Sequence, residues 1–152
     1  MYITLETDYA VRIVYELCKS GEKLDAKTIS LNTSVPQRFA VKILRKLVSI
    51  DLVKSYQGVQ GGYQINRKPK DISLKTVVEA IEGTYCFSRC LAPGGECSRG
   101  ASGRCCNQRV FAEITEQVNK LLESYDFEYL SKEQAAINKE LAANGRAKRT
   151  KN

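Results

Sequence analysis

The chain has 152 residues, 43% of them hydrophobic, and a formal net charge of +7. That length suits one globular unit, or a small domain with a dimerisation arm. No apolar run approaches the roughly 20 residues of a membrane span, and the start, MYITLETDYAVR, lacks the basic and apolar regions of a secretory signal, so a cytoplasmic protein without a membrane partner is expected.

There is no His and no Trp. The missing His excludes Cys/His zinc fingers and His-based general base catalysis. The six cysteines would stay largely reduced in a cytosol, which argues for metal or redox chemistry over a disulfide scaffold. Charge is unevenly spread. Residues 1–71 carry a net +5, residues 72–144 a net −2 and the tail GRAKRTKN a net +4. A basic front half fits phosphate contact in one place, although a solvated basic face would look the same.

In chain order, residues 8–20 read as a first helix, with Thr7 or Asp8 as N-cap and Val11, Val14, Leu17 and Cys18 on one face. Gly21 ends it. Residues 26–32 read as a short second helix capped by Asp25, followed by a turn at 32–34. Pro36 opens a third helix at a position where proline costs nothing, with Phe39, Ile43, Leu44 and Leu47 as its buried stripe. Two short helices around a polar turn suit a helix-turn-helix. The runs LVKSY (52–56) and YQI (63–65) flank a glycine-laden turn and read as a hairpin. The expected class is mainly α with a small β-hairpin wing: a winged helix-turn-helix over 1–71 plus a long dimerisation helix.

Ser73 caps a fourth helix that Gly83 terminates. A longer helix follows over about 106–125, with Phe111, Ile114, Val118, Leu121 and Tyr125 at near-heptad spacing. Its stripe is to be covered by a second copy, by helices one and four of the same chain, or by both. Dimerisation helices with a cysteine loop (84–106) thus occupy 72–130. Ser131 caps a last helix over 131–144, and 145–152 is expected to be a basic disordered tail.

A helix-turn-helix enters the major groove by the N-terminal residues of its second helix. Gln37 and Arg38 lie there and suit base edges, whereas Lys42 and Arg45 suit phosphates. Thr28, Tyr56, Gly58 and Gly62 complete the expected face on double-stranded DNA. Five cysteines fall in the 21 residues from Cys86 to Cys106. Glycines there let backbone wrap a ligand, and Arg89, Arg99 and Arg104 favour thiolates. Soft thiolates suit an iron–sulfur cluster. A four-thiolate zinc site is the chemical rival, but paired C-x2-C knuckles are missing. Reversible thiol oxidation is a metal-free alternative. An iron–sulfur carrier or enzyme lacks a second chemical motif.

TDYAVRIVYEL at 7–17, VPQRFAVKILRKLVSIDLV at 35–53 and GVQGGY at 58–63, followed by SLKTVVEAIEG at 73–83 and the cysteine loop, resemble the Rrf-two family of winged-helix regulators. The resemblance spans roughly residues 1–130 and is strongest toward the IscR and NsrR branch. It implies a homodimer on a near-palindromic operator, most often as a repressor. It also implies a cluster, 2Fe–2S or 4Fe–4S, on Cys90, Cys97 and Cys105, reporting iron, redox or nitric oxide status. Separations of six and seven residues stand where five is usual. The fourth position departs further: Gln108 replaces the IscR-type histidine, Asp8 matches the NsrR-type carboxylate of the opposite subunit, and Cys86 and Cys106 are additional candidates. A helix N-cap is the commoner task for an Asp placed like Asp8. Gln57 stands where the family's wing carries a basic residue. The family's CymR branch implies the alternative, a metal-free regulator controlled by thiols or a partner.

Overall fold

The computed structural model describes residues 3–58 and 60–149, with side chains to residue 143. Six helices and one hairpin follow in order: α1 (Leu5–Ser20), α2 (Ala26–Thr33), α3 (Gln37–Ser49), β1 (Val53–Tyr56), β2 (Gly62–Ile65), α4 (Leu74–Glu82), α5 (Cys106–Ser124) and α6 (Phe127–Arg149). The mainly α winged-helix architecture is therefore as the sequence predicts.

Local chemistry sets most boundaries. Asp25 accepts the backbone N–H groups of Lys27 (2.8 Å) and Thr28 (3.0 Å), and Ser73 accepts that of Thr76, satisfying donors that a first helical turn leaves open. Gly21 closes α1 at φ 65°, a conformation costly for a residue with a Cβ. The start of α1 differs from the expected Thr7 or Asp8 cap. Thr4 caps it, accepting the Thr7 N–H at 3.2 Å, because Thr7 is fully buried and its hydroxyl is used elsewhere. Pro36 is the N-cap of α3 and precedes its first residue.

One contiguous core joins Ala10, Ile13, Val14 and Leu17 of α1, Ile29 of α2, Ala40, Ile43, Leu44 and Leu47 of α3, then Leu52, Val53, Ile72, Val77 and Phe127. The sequence places Phe39 in the buried stripe of α3, but it is 36% exposed and lies outside the core. Small Ala40 takes the interior place, and the Phe39 ring lies edge-on to Tyr9 at 6.2 Å. Val11 and Cys18 flank the core instead of filling it.

The hairpin pairs Val53 with Ile65 and Tyr56 with Gly62 in antiparallel register. It is also tied to the segment before α2, where Leu24 and Tyr63 exchange both backbone hydrogen bonds, at 2.9 and 2.8 Å. A Cβ on Gly62 would stand 2.7 Å from the Leu24 carbonyl oxygen, so the close approach requires glycine.

The last helix differs from the expected 131–144. It begins at Phe127, with Asp126 accepting the Tyr129 N–H at 2.7 Å, and Ser131 lies inside it with its hydroxyl on the Phe127 carbonyl. Phe127 is buried, and its N–H donates to Ile72 O while Leu74 N–H donates to Tyr125 O. Burial of one aromatic ring thus moves the helix start four residues upstream. The expected tail is helical in backbone to Arg149, and 150–152 lie outside the described residues. Among those described, no helix is long and apolar enough to cross a membrane.

Candidate nucleic-acid interface and cysteine loop

Helix α3 carries Arg38, Lys42, Arg45 and Lys46 and no acidic residue. Arg38 and Gln37 sit in its first turn, and the Arg38 guanidinium lies 4.9 Å from the Phe39 ring centre. Arg45 lines an open cleft of about 580 Å³ between α3 and the wing, with Asp25, Ser55, Tyr56, Gly58 and Gly62. The two lysines are engaged within the chain. Glu6 of α1 meets Lys46 Nζ at 2.8 Å through Oε1 and Lys42 Nζ at 3.3 Å through Oε2. These contacts, Lys46 first, hold the Glu6 carboxyl below its ordinary range.

Of the other expected DNA residues, Tyr56, Gly58 and Gly62 line that cleft, and Thr28 reaches it only through Asp25. The Thr28 hydroxyl donates to Asp25 Oδ2 at 2.7 Å, so it braces the α2 cap, and it holds the Asp25 carboxyl low together with the backbone. Tyr56 is 42% exposed, its hydroxyl donating to Gln64 Oε1 at 3.1 Å. Gly58 takes φ 94° at the wing tip. Sequence reasoning missed Lys23. Its ammonium donates to Gln60 O at 2.5 Å and lies 5.4 Å from the Tyr56 ring centre. It brings a positive charge to a wing in which Gln57 replaces the familiar basic residue.

The cysteine loop runs from Gly83 to Cys105, between α4 and α5. Cys90 lies in a single turn of 3-10 helix, Arg89–Leu91, with its sulfur 3.2 Å from Ser88 Oγ. The backbone N–H groups of Ala101, Arg99 and Gly100 favour the Cys97 thiolate. Ala101 has the largest effect, and together with the Arg99 charge they lower the thiol's pKa. Cys105 caps α5, and Cys106 is exposed. Gln108 Oε1 accepts the Gly103 N–H at 2.9 Å, and Asp8 pairs with Arg12 at 2.6 Å. Two of the four candidate fourth ligands, Gln108 and Asp8, are thus engaged in protein contacts. All six thiols are free. The donor chemistry suits iron, but the loop as folded is not a preassembled site. Among the described residues no three of Cys, Asp or Glu converge to hold a metal ion. Cys18 stands apart in α1, its thiol pushed up to about 12 by burial.

Helix α5 leans on α4 and on the start of the loop. Thr115 Oγ1 accepts the Phe87 N–H at 3.2 Å, Asn119 donates to Tyr85 O at 3.3 Å, and Lys75 pairs with Glu123 at 3.1 Å. None of its residues is buried. Phe111 and Leu121 are 40% and 58% exposed, while Ile114 and Val118 are half-buried.

A helix-turn-helix with a tethered wing and a cation-rich second helix defines a DNA-binding transcription regulator. The family model described as Rrf2, iron-dependent transcriptional regulator, matches residues 3–133, and the chain belongs to that family. It is 25% identical over 140 residues to the transcriptional regulator NsrR of Geobacillus kaustophilus, covering 90% of this chain and 94% of that one. In fold it resembles T. potens IscR (TM-score 0.69, 20% identity, 88% of each chain). It also resembles CymR, the global cysteine regulator of B. subtilis (TM-score 0.68, 21% identity, 87% of this chain and 97% of that one).

Proposed function

We propose that this chain is a homodimeric repressor whose cysteine loop reads iron–sulfur, redox or nitric oxide status and changes its hold on a DNA operator. The observation that carries the reading is the loop itself. Five thiols sit outside the hydrophobic core, on a segment that joins α4, whose Val77 shares the core with α1, to the exposed helix α5. Cys90, Cys97 and Cys105 are the ligands proposed for a cluster, 2Fe–2S or 4Fe–4S, and the iron-dependent description of the family supports iron. Among the described residues no three donors converge on one point, so ligation requires the loop to rearrange. Glycines at positive φ, 94, 100 and 103, give it that freedom.

On the DNA side, Gln37 and Arg38 are assigned to base edges, and Arg45, Thr28, Tyr56, Gly58 and Gly62 to the backbone around the cleft. Phe111, Ile114, Val118 and Leu121 face the second copy. A metal-free, thiol-controlled regulator is the second reading, favoured by the separated thiols and the lowered Cys97 pKa.

Anaerobic purification followed by DNA binding tests both. A brown protein that binds selected duplexes, and loses iron and sulfide on replacing Cys90, Cys97 or Cys105 by Ala, bears out the first. A colourless protein that binds the same duplexes and responds to thiol oxidation bears out the second. A brown protein without DNA affinity sinks both. Arg38→Ala is expected to relax sequence preference at a cost of roughly 1–3 kcal/mol. An unchanged ratio of affinities for selected and scrambled duplex overturns its assignment to a base edge.

A further inference from the structure

Two of the four cations on α3 face a carboxylate of another helix. The Glu6 side chain retains 26% exposure and meets both Lys42 and Lys46. Its place is fixed from below. Glu82, the last residue of α4, accepts the Thr4 N–H at 3.1 Å and the Thr4 and Thr7 hydroxyls at 3.0 and 2.5 Å. The first turn of α1 is therefore bolted to the end of α4, and Glu6 cannot follow lysines that swing away. The lysines have long flexible stems, and the Lys42 side chain is 60% exposed, four residues after Arg38 and three before Arg45.

We propose that Glu6 acts as an internal competitor of the DNA backbone, occupying Lys42 and Lys46 in the free protein and so limiting the phosphate grip of α3. Glu6 is a positioning residue in this scheme, and the scheme rests on α3 being the helix that meets DNA. Sequence-independent binding grows with the number of phosphates neutralised, and phosphate contacts carry no sequence information. A carboxylate that withholds two lysines therefore weakens binding to arbitrary duplex. Arg38 stacks on Phe39 and Arg45 faces the cleft, so both remain available.

The experiment is a salt titration of binding to a scrambled duplex and to one selected in vitro, using anaerobically purified full-length protein. Glu6→Gln keeps the side-chain shape and removes the charge. Freeing two lysines should steepen log K against log salt by up to about 1.8 per protomer. The ratio of variant to wild-type affinity should then grow by up to about twelvefold for each protomer on the duplex as salt falls from 200 to 50 mM, a conversion of that slope. Parallel salt plots for the two proteins would overturn the proposal. Replacing Lys42 and Lys46 together by Ala gives an independent reading in the wild-type background. Little change in slope is expected there, and a loss of about two counterions' worth would show that both lysines already grip DNA. If wild-type protein binds neither duplex, the assignment of α3 to DNA fails, a result separable from unchanged slopes in proteins that bind.

Discussion

Leu121→Ala offers the sharpest test of the proposed pairing of two copies through α5. Leu121 is 58% exposed on a helix with no buried residue. Taking a leucine fully out of water is worth about 1.5–3 kcal/mol, so covering the 58% still wet is worth about 0.9–1.7 kcal/mol. A two-fold interface counts each residue twice. Because Ala keeps its Cβ, the loss on substitution is about 1.5–3 kcal/mol per dimer, or roughly 10- to 100-fold in the dissociation constant. Sedimentation velocity across a dilution series measures that constant directly. Lys120→Ala is the control, since that side chain is 73% exposed on the opposite face and pairs with Glu116; no change is expected. Ile114→Glu should go further by placing an unpaired charge in the interface, at a cost of several kcal/mol. A wild-type protein that remains monomeric, or equal constants for wild type and Leu121→Ala, would refute the assignment of α5 to the interface.

Three further outcomes follow from contacts described above. Phe127→Ala should destabilise the fold by about 3–5 kcal/mol, because a fully buried ring leaves a cavity beside Ile72; a change under 1 kcal/mol on chemical denaturation would contradict its place in the core. The Thr7 hydroxyl, then the Thr4 groups, hold the Glu82 carboxyl below its ordinary value. Its stabilising contribution is therefore complete above the ordinary carboxylate range and is lost as pH falls through the lower, folded value. Glu82→Gln should flatten that acid limb of thermal stability, and an unaltered pH profile would count against the tether. Finally, iodoacetamide at neutral pH should label Cys97 ahead of Cys18. Three backbone N–H groups favour the Cys97 thiolate while burial opposes that of Cys18, and mass mapping that finds Cys18 first would reverse the reasoning.

Caps and turns were the most legible part of this chain. Asp25, Ser73, Gly21 and Gly83 mark helix ends through bonds made within a few residues, and such local chemistry is written directly in sequence. What failed depended on distant partners. Thr7 looks like a cap until Glu82, 75 residues away, takes its hydroxyl. Phe39 fits an apolar stripe as well as Ala40 does, and only the packing of α1 against α3 decides which enters the core. Phe127 follows an acidic, loop-like stretch, and its burial comes from pairing with Ile72. The cations of α3 were legible as residue types at helical spacing, but the capture of Lys42 by Glu6 was not, because 36 residues separate them. The cysteine loop was legible as a cluster of donors. Its present shape was not, since glycine-rich backbone leaves many closures open.

The double hydrogen bond between Leu24 and Tyr63 has a mechanical corollary. It joins the hairpin to the segment that introduces α2, while the Gln64 amide reaches the Gly21 carbonyl at 3.1 Å. The wing therefore cannot swing independently of the helices beside it, and the whole reading head moves as a single lever. A lever of fixed shape meets one length of groove in one way. In the proposed dimer, tolerance for operators whose two halves lie closer together or farther apart would then reside in the angle between protomers, and a screen for relaxed spacing should return changes in α5 in preference to the wing.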